Sequence, residues 1–345
     1  DLDTTRPVTA NLIIPVASLA SGYADALDVV GVSYQIAQYD WCKKNYPDKL
    51  LTGSENTGSW EDWNSILENP MVFSMYMWTG IDYLGEATGK WPQKGWDGDM
   101  LDLAGFKKQG WNYFKSIWRD DPHVSIGTLP IARSNFTVDA LSGKPVATGK
   151  KALQWRNSNM HWNYDAGETV LVEVCSNQHV VELFLNGHSL GSRSLSDCPD
   201  RIMRWAVPFE AGTLTAKAAF AGAVVAAELI TSSEPEHIIL TSDKATLRAD
   251  GYDVAHLVAQ LVDQDGNQVK TSNAVISFQL EGEARVLGVD NGSNRSVQDY
   301  QSNTLMTSQG RALLILQSTR TSGRVSVRAV AENLKSNPIQ ISTQR

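Results

Sequence analysis

The chain has 345 residues, of which 42% are hydrophobic and 20% charged, and its formal net charge is −8. No apolar run approaches the roughly 18 residues that a membrane-spanning helix needs, so we expect no membrane span. The negative charge argues against nucleic acid or an anionic membrane as a partner. The length allows two or three domains. A neutral substrate fits the negative net charge best.

The chain begins at Asp1 without an initiator methionine, so we expect it to be part of a longer protein, and a missing signal peptide carries no weight. Its three cysteines are Cys42, Cys175 and Cys198. They have no metal-ligand spacing, and we expect neither a metal nor a cofactor. Cys175 and Cys198 can pair within one domain, although two free thiols are favoured.

Residues 1–120 read as a first domain of alternating strands and helices. Eight of the 11 tryptophans lie there. Its strand signals are apolar on both faces, as in a parallel sheet covered by helices; they are residues 7–11, 27–34, 50–55 and 71–78. Helices are predicted within 36–46 and over 106–118, where Trp111, Phe114 and Trp118 share a face. Four such units are half of a (β/α)₈ barrel, which leaves an open sheet edge.

Beyond residue 120 the hydrophobic period changes to two, and turn signals follow at short intervals. Strong hairpin turns are predicted at Asn186-Gly187 and Ala221-Gly222. Residues 232–237 read as a linker. The fold class is therefore multidomain, α/β followed by all-β, with a β-sandwich module at 121–232 and an immunoglobulin-like sandwich of about seven strands at 236–345. The acidic residues at 263–267 predict a turn in preference to a calcium site.

Glu55 is the main candidate for chemistry. It ends a predicted parallel strand, and the carboxyl ends of barrel strands form the active-site face. A glutamate there has the position of a glycosidase nucleophile, which attacks the anomeric carbon of a sugar. The spacing alone fits a solvated loop acid equally.

Neighbouring strand ends strengthen this hypothesis. Tyr34 ends the preceding strand, where its phenol can orient Glu55, and Trp78 ends the following strand, where its indole can form the floor of a sugar site. Asp82 and Glu86 are candidates for binding sugar hydroxyls, and Trp91 for a subsite wall. Each of these residues also has an ordinary structural explanation in a core or a loop.

Several motifs resemble glycoside hydrolase family 2, the β-galactosidase family. In the first domain they are residues 3–9 (DTTRPVT), 25–31 (DALDVVG), 46–49 (YPDK) with 53–55 (GSE), 78–86 (WTGIDYLGE) and 101–106 (LDLAGF). Residues 161–164 (HWNY) and 181–191 (VELFLNGHSLG) resemble the sandwich that follows the barrel in bacterial members, and the last 110 residues resemble their immunoglobulin-like C-terminal domain.

The resemblance implies a retaining mechanism. It makes residues 1–120 barrel strands five to eight, with Glu55 as nucleophile on strand seven, Tyr34 on strand six and Trp78 on strand eight. The family's general acid/base glutamate is expected upstream of Asp1, so we expect the chain to pair with an N-terminal part of the same protein. The implied substrate is a terminal β-galactoside in an oligosaccharide or glycoconjugate.

Other functions stay open at this point. An Asn-x-Lys motif typical of β-glucuronidases is absent between Glu55 and Trp78, which disfavours that activity, whereas β-mannosidase remains possible. A non-catalytic carbohydrate-binding or adhesion fragment would also fit 225 residues of all-β sequence. We expect a periplasmic or secreted location.

Overall fold

The computed structural model describes residues 3, 5–87, 89, 91–98, 100–149 and 158–345. Thr4, within the first of the family-like motifs, lies outside the described residues. None of the helices in the described part is long and apolar enough to cross a membrane. The sheets fall into three groups along the chain.

The first group is a four-stranded parallel sheet in the order β1-β2-β3-β4, which confirms the predicted parallel pairing. Its strands are β1 Thr9–Leu12, β2 Val29–Ser33, β3 Leu50–Asn56 and β4 Val72–Met77. The helices between them are α1 Pro15–Ala20, α2 Tyr39–Asn45 and α3 Trp60–Leu67. Leu19, Cys42 and Ile66, one from each helix, share a buried core with Val30 and Leu51 of the sheet.

The edge strand β4 departs from the prediction of apolar residues covered on both faces. Phe73 and Tyr76 are 61% and 64% exposed. The physical reason is that β4 pairs with β3 alone in this sheet, so side chains at this edge have a neighbouring strand on one side only.

The helix predicted over 106–118 begins later than expected, as α4 Gln109–Trp118. Asp102 accepts hydrogen bonds from the backbone N–H groups of Ala104 and Phe106, which holds this stretch in a turn. The predicted helix face is also only partly right. Tyr113 and Phe114 are buried, together with Cys175 and Ile202 of the next module, whereas Trp111 is half-buried and Trp118 is 37% exposed.

A short two-stranded ribbon, which we call the β5–β6 ribbon, connects β4 to α4. It pairs β5 Tyr83–Leu84 with β6 Gly95–Trp96. Beyond it the chain enters the second group, a sandwich of two antiparallel sheets. One has the order β13-β10-β7, with β7 Val124–Pro130, β10 Thr169–Ser176 and β13 Ile202–Pro208. The other has the order β12-β11-β14-β15, with β11 Val180–Leu185, β12 His188–Ser194, β14 Thr213–Phe220 and β15 Ala223–Ile230.

Both predicted hairpin turns of this module are confirmed. Asn186 and Gly187 between β11 and β12, and Ala221 and Gly222 between β14 and β15, all have positive φ, as a type I′ turn requires. A small ribbon of β8 Phe136–Val138 and β9 Pro145–Ala147 lies outside the two sheets. Cys175 and Cys198 are unpaired.

The third group has ten strands, more than the seven or so predicted. One sheet has the order β16-β18-β22-β20 and the other β17-β25-β23-β19-β21, with β24 on β23. They are β16 His237–Ser242, β17 Thr246–Arg248, β18 Val254–Val262, β19 Val275–Gly282, β20 Ala284–Asp290, β21 Thr304–Met306, β22 Arg311–Ser318, β23 Gly323–Ala331, β24 Leu334–Lys335 and β25 Ile339–Gln344. Several of the additional strands have only two or three residues, too few for an alternating pattern to be recognised.

Candidate active site

Glu55 lies at the carboxyl end of β3 and is half-buried. The Asn11 side chain, from the end of β1, donates its Nδ2–H to Glu55 Oε2 at 3.0 Å. The Oδ1 of Asn11 accepts from Ser54 Oγ at 2.7 Å. The two contacts give the Asn11 amide a defined orientation, with its N–H group directed at the carboxylate.

These contacts connect β1 and β3 across the intervening strand β2. Gly31 of β2 leaves the space that they need, because it has no side chain. A Cβ at Gly31 would lie 2.2 Å from the carbonyl oxygen of Ala10 and 2.9 Å from Ser54 Cβ, both far inside normal contact. Only a glycine lets β1 and the end of β3 approach each other here. Sequence reasoning did not identify Asn11, although a polar residue near the end of a parallel strand was a signal for it.

The turn after Glu55 is held by side chains of the following helix. Ser59 caps α3 by accepting from the backbone N–H of Asp62 at 3.1 Å. In return, the Asp62 carboxylate accepts from both the N–H and the hydroxyl of Thr57 at 2.7 Å. The cap at Ser59 and the bonds from Thr57 to Asp62 together hold the backbone directly after the candidate nucleophile.

Tyr34 and Trp78 flank Glu55 at the ends of the neighbouring strands, where the sequence placed them. The backbone N–H of Tyr34 donates to the Glu55 carbonyl oxygen at 2.7 Å, and the residue is 38% exposed with φ of 55°. Trp78 donates its backbone N–H to the carbonyl oxygen of Asn56 at 2.9 Å and is 40% exposed. The peptide bond between Trp78 and Thr79 is cis.

Tyr83 of β5 brings Trp78 and Glu86 together, and it was not predicted. Its ring lies edge-on to Trp78, with 5.7 Å between ring centroids. Its hydroxyl donates to Glu86 Oε2 at 2.5 Å. Desolvation, the hydrogen bond to Glu86 and the charges of Glu86 and Glu55 all raise the pKa of Tyr83, while Trp78 opposes them. The phenol therefore remains protonated at neutral pH.

Asp82, which directly precedes β5, is placed differently from its sequence neighbour Tyr83. Its carboxylate is buried and accepts from Lys108 Nζ at 3.0 Å. Burial raises the pKa of Asp82 to about 6 in spite of that lysine. It lines a polar cavity of about 220 Å³ together with Asp102 of the first group and Asn159 and Arg311 of the two sandwiches.

Trp91 is 75% exposed, and the bond to Pro92 is cis. The structure thus places the predicted residues Glu55, Tyr34, Trp78 and Glu86 around one end of the parallel sheet. Asn11 and Tyr83, which were not predicted, lie with them. Asp82 is instead paired with Lys108. Among the described residues there is no group of three or more His, Cys, Asp or Glu side chains arranged to hold a metal ion.

Comparisons with known proteins agree with this architecture. A family model described as glycoside hydrolase family 2 C-terminal domain 5 matches residues 238–340, and a model of a domain of unknown function, DUF4982, matches residues 167–226. The β-galactosidase BoGH2A of Bacteroides ovatus is 26% identical to the chain, over 99% of this chain and 42% of that protein. A solved family 2 structure from Bacteroides cellulosilyticus is 29% identical, with a TM-score of 0.85 over 100% of this chain and 45% of that one.

The resemblance to glycoside hydrolase family 2 is confirmed. The chain spans less than half the length of these two family 2 relatives. A putative β-glucuronidase of Formosa agariphila is also 26% identical, over 67% of this chain and 20% of that protein. Relatives with different named activities therefore match the same chain.

Proposed function

We propose that this chain supplies the nucleophile, Glu55, of a retaining family 2 glycosidase that cleaves terminal β-galactosides. The observation that carries the proposal is the Glu55 carboxylate at the carboxyl end of a parallel strand, oriented by Asn11 at 3.0 Å and flanked by Trp78. A carboxylate held in a defined orientation at the carboxyl end of a barrel strand is the group that attacks the anomeric carbon in a retaining glycosidase.

In the proposed first step, a Glu55 oxygen forms a bond to the anomeric carbon while the bond from that carbon to the leaving oxygen breaks. A second carboxyl group donates a proton to the leaving oxygen. It then takes a proton from the water that attacks the same carbon and releases Glu55. Retention requires the two carboxyl groups to lie about 5–5.5 Å apart.

We propose that the second carboxyl group belongs to the remainder of the whole protein. In this proposal the four strands of the parallel sheet are strands five to eight of a (β/α)₈ barrel, and an N-terminal part of the same protein contributes the other four strands and the acid/base glutamate. The exposed Phe73 and Tyr76 at the edge of β4 support this arrangement, since further strands would cover them.

The other candidate residues take supporting roles. Tyr34 is proposed to orient Glu55 through its phenol, and Trp78 to form the floor of the sugar site. Glu86, fixed by Tyr83, is proposed to bind sugar hydroxyls. The high exposure of Trp91 supports a subsite wall. The ion pair with Lys108 supports a structural role for Asp82 in holding the start of the β5–β6 ribbon.

A β-galactoside is favoured over a β-glucuronide because the matching β-galactosidase covers 99% of this chain, against 67% for the putative β-glucuronidase. The test of specificity is to compare kcat/KM of the full-length protein on the p-nitrophenyl β-galactoside and β-glucuronide. A higher value on the glucuronide would overturn the proposed substrate and leave the proposed nucleophile unaffected.

The test of the nucleophile is covalent labelling of the full-length protein with 2-deoxy-2-fluoro-β-galactosyl fluoride. We expect a single glycosyl adduct on the peptide that contains Glu55, detected by peptide mass spectrometry. Glu55→Gln should abolish labelling and lower kcat by about 10³-fold or more, because the nucleophile forms the bond to the sugar.

A matched control is Glu68→Gln, since the exposed Glu68 on the same domain also accepts from an asparagine amide, that of Asn64 at 2.8 Å. This variant should keep full activity. Turnover that survives Glu55→Gln would contradict the assignment of the nucleophile. Galactose binding without any turnover by the complete protein would instead favour a non-catalytic carbohydrate-binding function.

A further inference from the structure

Lys94 connects the β5–β6 ribbon to the third group of sheets, residues 237–344, which we call the third module. Its Nζ donates to the carbonyl oxygen of Ser296 and to the hydroxyl of Tyr300, and its ammonium lies 4.4 Å from the centroid of the Tyr300 ring. Its backbone N–H donates to the carbonyl oxygen of Asn294 at 3.0 Å, and its own carbonyl accepts from Gly85 at 3.0 Å. One half-buried residue therefore joins the turn after β5 to a loop 200 residues further along the chain.

The connection continues from Lys94 to the proposed sugar site. Gly95, next to Lys94, pairs with Leu84, and Trp96 pairs with Tyr83. A Cβ at Gly95 would lie 2.5 Å from the Tyr83 carbonyl oxygen, so the two strands of the ribbon approach closely. A displacement of Lys94 is therefore transmitted to Tyr83.

Tyr83 in turn contacts Trp78 and Glu86, the two residues proposed to bind the sugar. The charge of Glu55 also acts on its phenol. Three contacts thus connect the loop of the third module with the proposed sugar site: Lys94 with that loop, β6 with β5, and Tyr83 with Trp78 and Glu86.

We propose that Lys94 is a positioning residue, through which the third module fixes the β5–β6 ribbon and so sets the affinity of the site for its sugar. The expected effect on the affinity for the sugar rests on the proposed function. Among the other links between these parts, Arg311 contacts Asp102 at 3.2 Å and holds the turn before α4, and Arg295 donates to Gln93 Oε1 at 3.3 Å beside the ribbon. Removing the Lys94 side chain should therefore loosen the ribbon, although the bond from Arg295 to Gln93 and the backbone bond from Lys94 to Asn294 remain.

The first test is amide hydrogen exchange of the full-length protein and its Lys94→Met variant. We expect peptides that span residues 83–96 to exchange at least about tenfold faster in the variant, while β2 and β3 exchange as in the wild type. Tyr300→Phe, which removes the hydroxyl and keeps the ring, should have an intermediate effect. Lys94→Arg should restore much of the protection, since it keeps a donor and a positive charge.

Lys217→Met is the matched control, because Lys217 also lies over an aromatic ring, that of Phe184 at 5.1 Å, but within the second module. It should leave the ribbon unchanged. Unaltered exchange at residues 83–96 in Lys94→Met would overturn the proposed link between the ribbon and the third module.

The second test is steady-state kinetics on the p-nitrophenyl β-galactoside. Lys94→Met should raise KM about tenfold with little change in kcat, the pattern expected when binding is lost equally from the ground and transition states. Faster exchange without a change in KM would overturn the effect on affinity. The wild-type protein could prove inactive on both the p-nitrophenyl β-galactoside and the β-glucuronide while Lys94→Met still shows faster exchange. That result would contradict the proposed function and still support the link between the ribbon and the third module.

Discussion

At the scale of single residues, unusual backbone conformations occur beside the candidate nucleophile. Tyr34 and Glu86 have φ of 55° and 49°, in the left-handed region that residues with a Cβ seldom occupy. Such a conformation costs on the order of 1–3 kcal/mol, which the surrounding contacts must offset. For Tyr34, one such contact is its N–H bond to the Glu55 carbonyl oxygen. Two of the seven non-glycine residues with positive φ in the described part of the chain therefore lie beside the proposed site.

His161, in the second module, is a residue whose protonation should affect stability. Its Nδ1 accepts from the backbone N–H of Asn163 at 3.2 Å, which requires the unprotonated nitrogen. Burial, and then the charge of Lys270, lowers the pKa of His161 to about 4. In the unfolded chain its pKa is about 6.5. Unfolding therefore takes up a proton between these values, and the stability present above pH 6.5 is lost as the pH falls toward 4.

We expect His161→Gln to reduce this acid sensitivity. The fall in Tm between pH 7 and pH 5, measured by scanning calorimetry, should be smaller by about 2–4 °C in the variant. Part of the sensitivity should remain, because burial also lowers the pKa of His123 to about 4. The exposed His237 provides the control, and His237→Gln should behave as the wild type. Equal pH dependence in all three proteins would show that folding does not lower the pKa of His161.

At the scale of secondary-structure elements, the spacing of β1, β2 and β3 depends on a glycine. Gly31 is in the middle of β2, and a Cβ atom at this residue would overlap the backbone of β1 and the side chain of Ser54. Backbone cannot move aside as a flexible side chain can. Any larger residue at this position must therefore push β1 away from β3, and with it the Asn11 amide that contacts Glu55.

Gly31→Ala should lower the free energy of unfolding by about 1–3 kcal/mol, the usual cost of overpacking a tight core. It should also weaken the site, since the contact between Asn11 and Glu55 lengthens. Denaturant unfolding measures the first effect. Gly80→Ala is the control, because the nearest atoms to a Cβ at Gly80 would be 3.8 Å away. This variant should change the free energy of unfolding by less than about 0.5 kcal/mol. Equal stability of the two variants would contradict the crowding at Gly31.

At the scale of the whole molecule, three of the buried cores correspond to the three groups of sheets. The largest lies entirely within residues 238–341 and includes Phe278, Leu257 and Val327. A smaller core joins α4 to the second module. The third module contacts the rest through polar links such as Arg311 with Asp102. A domain with its own apolar core and a polar interface is expected to fold by itself.

We therefore expect a fragment of residues 234–345 to fold independently. Circular dichroism should show a β-rich spectrum, and denaturant unfolding should be a single cooperative transition. A variant carrying Phe278→Ala should be destabilised by about 3–5 kcal/mol, because that ring is fully buried in the core. A fragment without a cooperative transition would show that the links to the ribbon and to α4 are needed for folding.

The sequence by itself determined where the main strands and turns lie along the chain. Alternation and turn residues located the main strands and both hairpins, and strand ends placed Tyr34, Glu55 and Trp78 side by side, because side-chain periodicity is a local property. It missed Asn11, Tyr83 and Lys94. The roles of Asn11 and Lys94 depend on neighbours that lie 44 and 202 residues away. The partners of Tyr83 are near in sequence, but its two-residue strand is too short for an alternating pattern to be recognised.

Only the tertiary structure decided these long-range contacts. Glu173, in the middle of β10, is fully buried because Arg204 of β13 donates to it at 2.9 Å, a pairing that the strand pattern does not specify. In the same way, Asp82 contacts Lys108, 26 residues further along the chain. Hydrophobic periodicity selects which face of a strand is buried, but the partner of each buried polar group depends on how the sheets pack together.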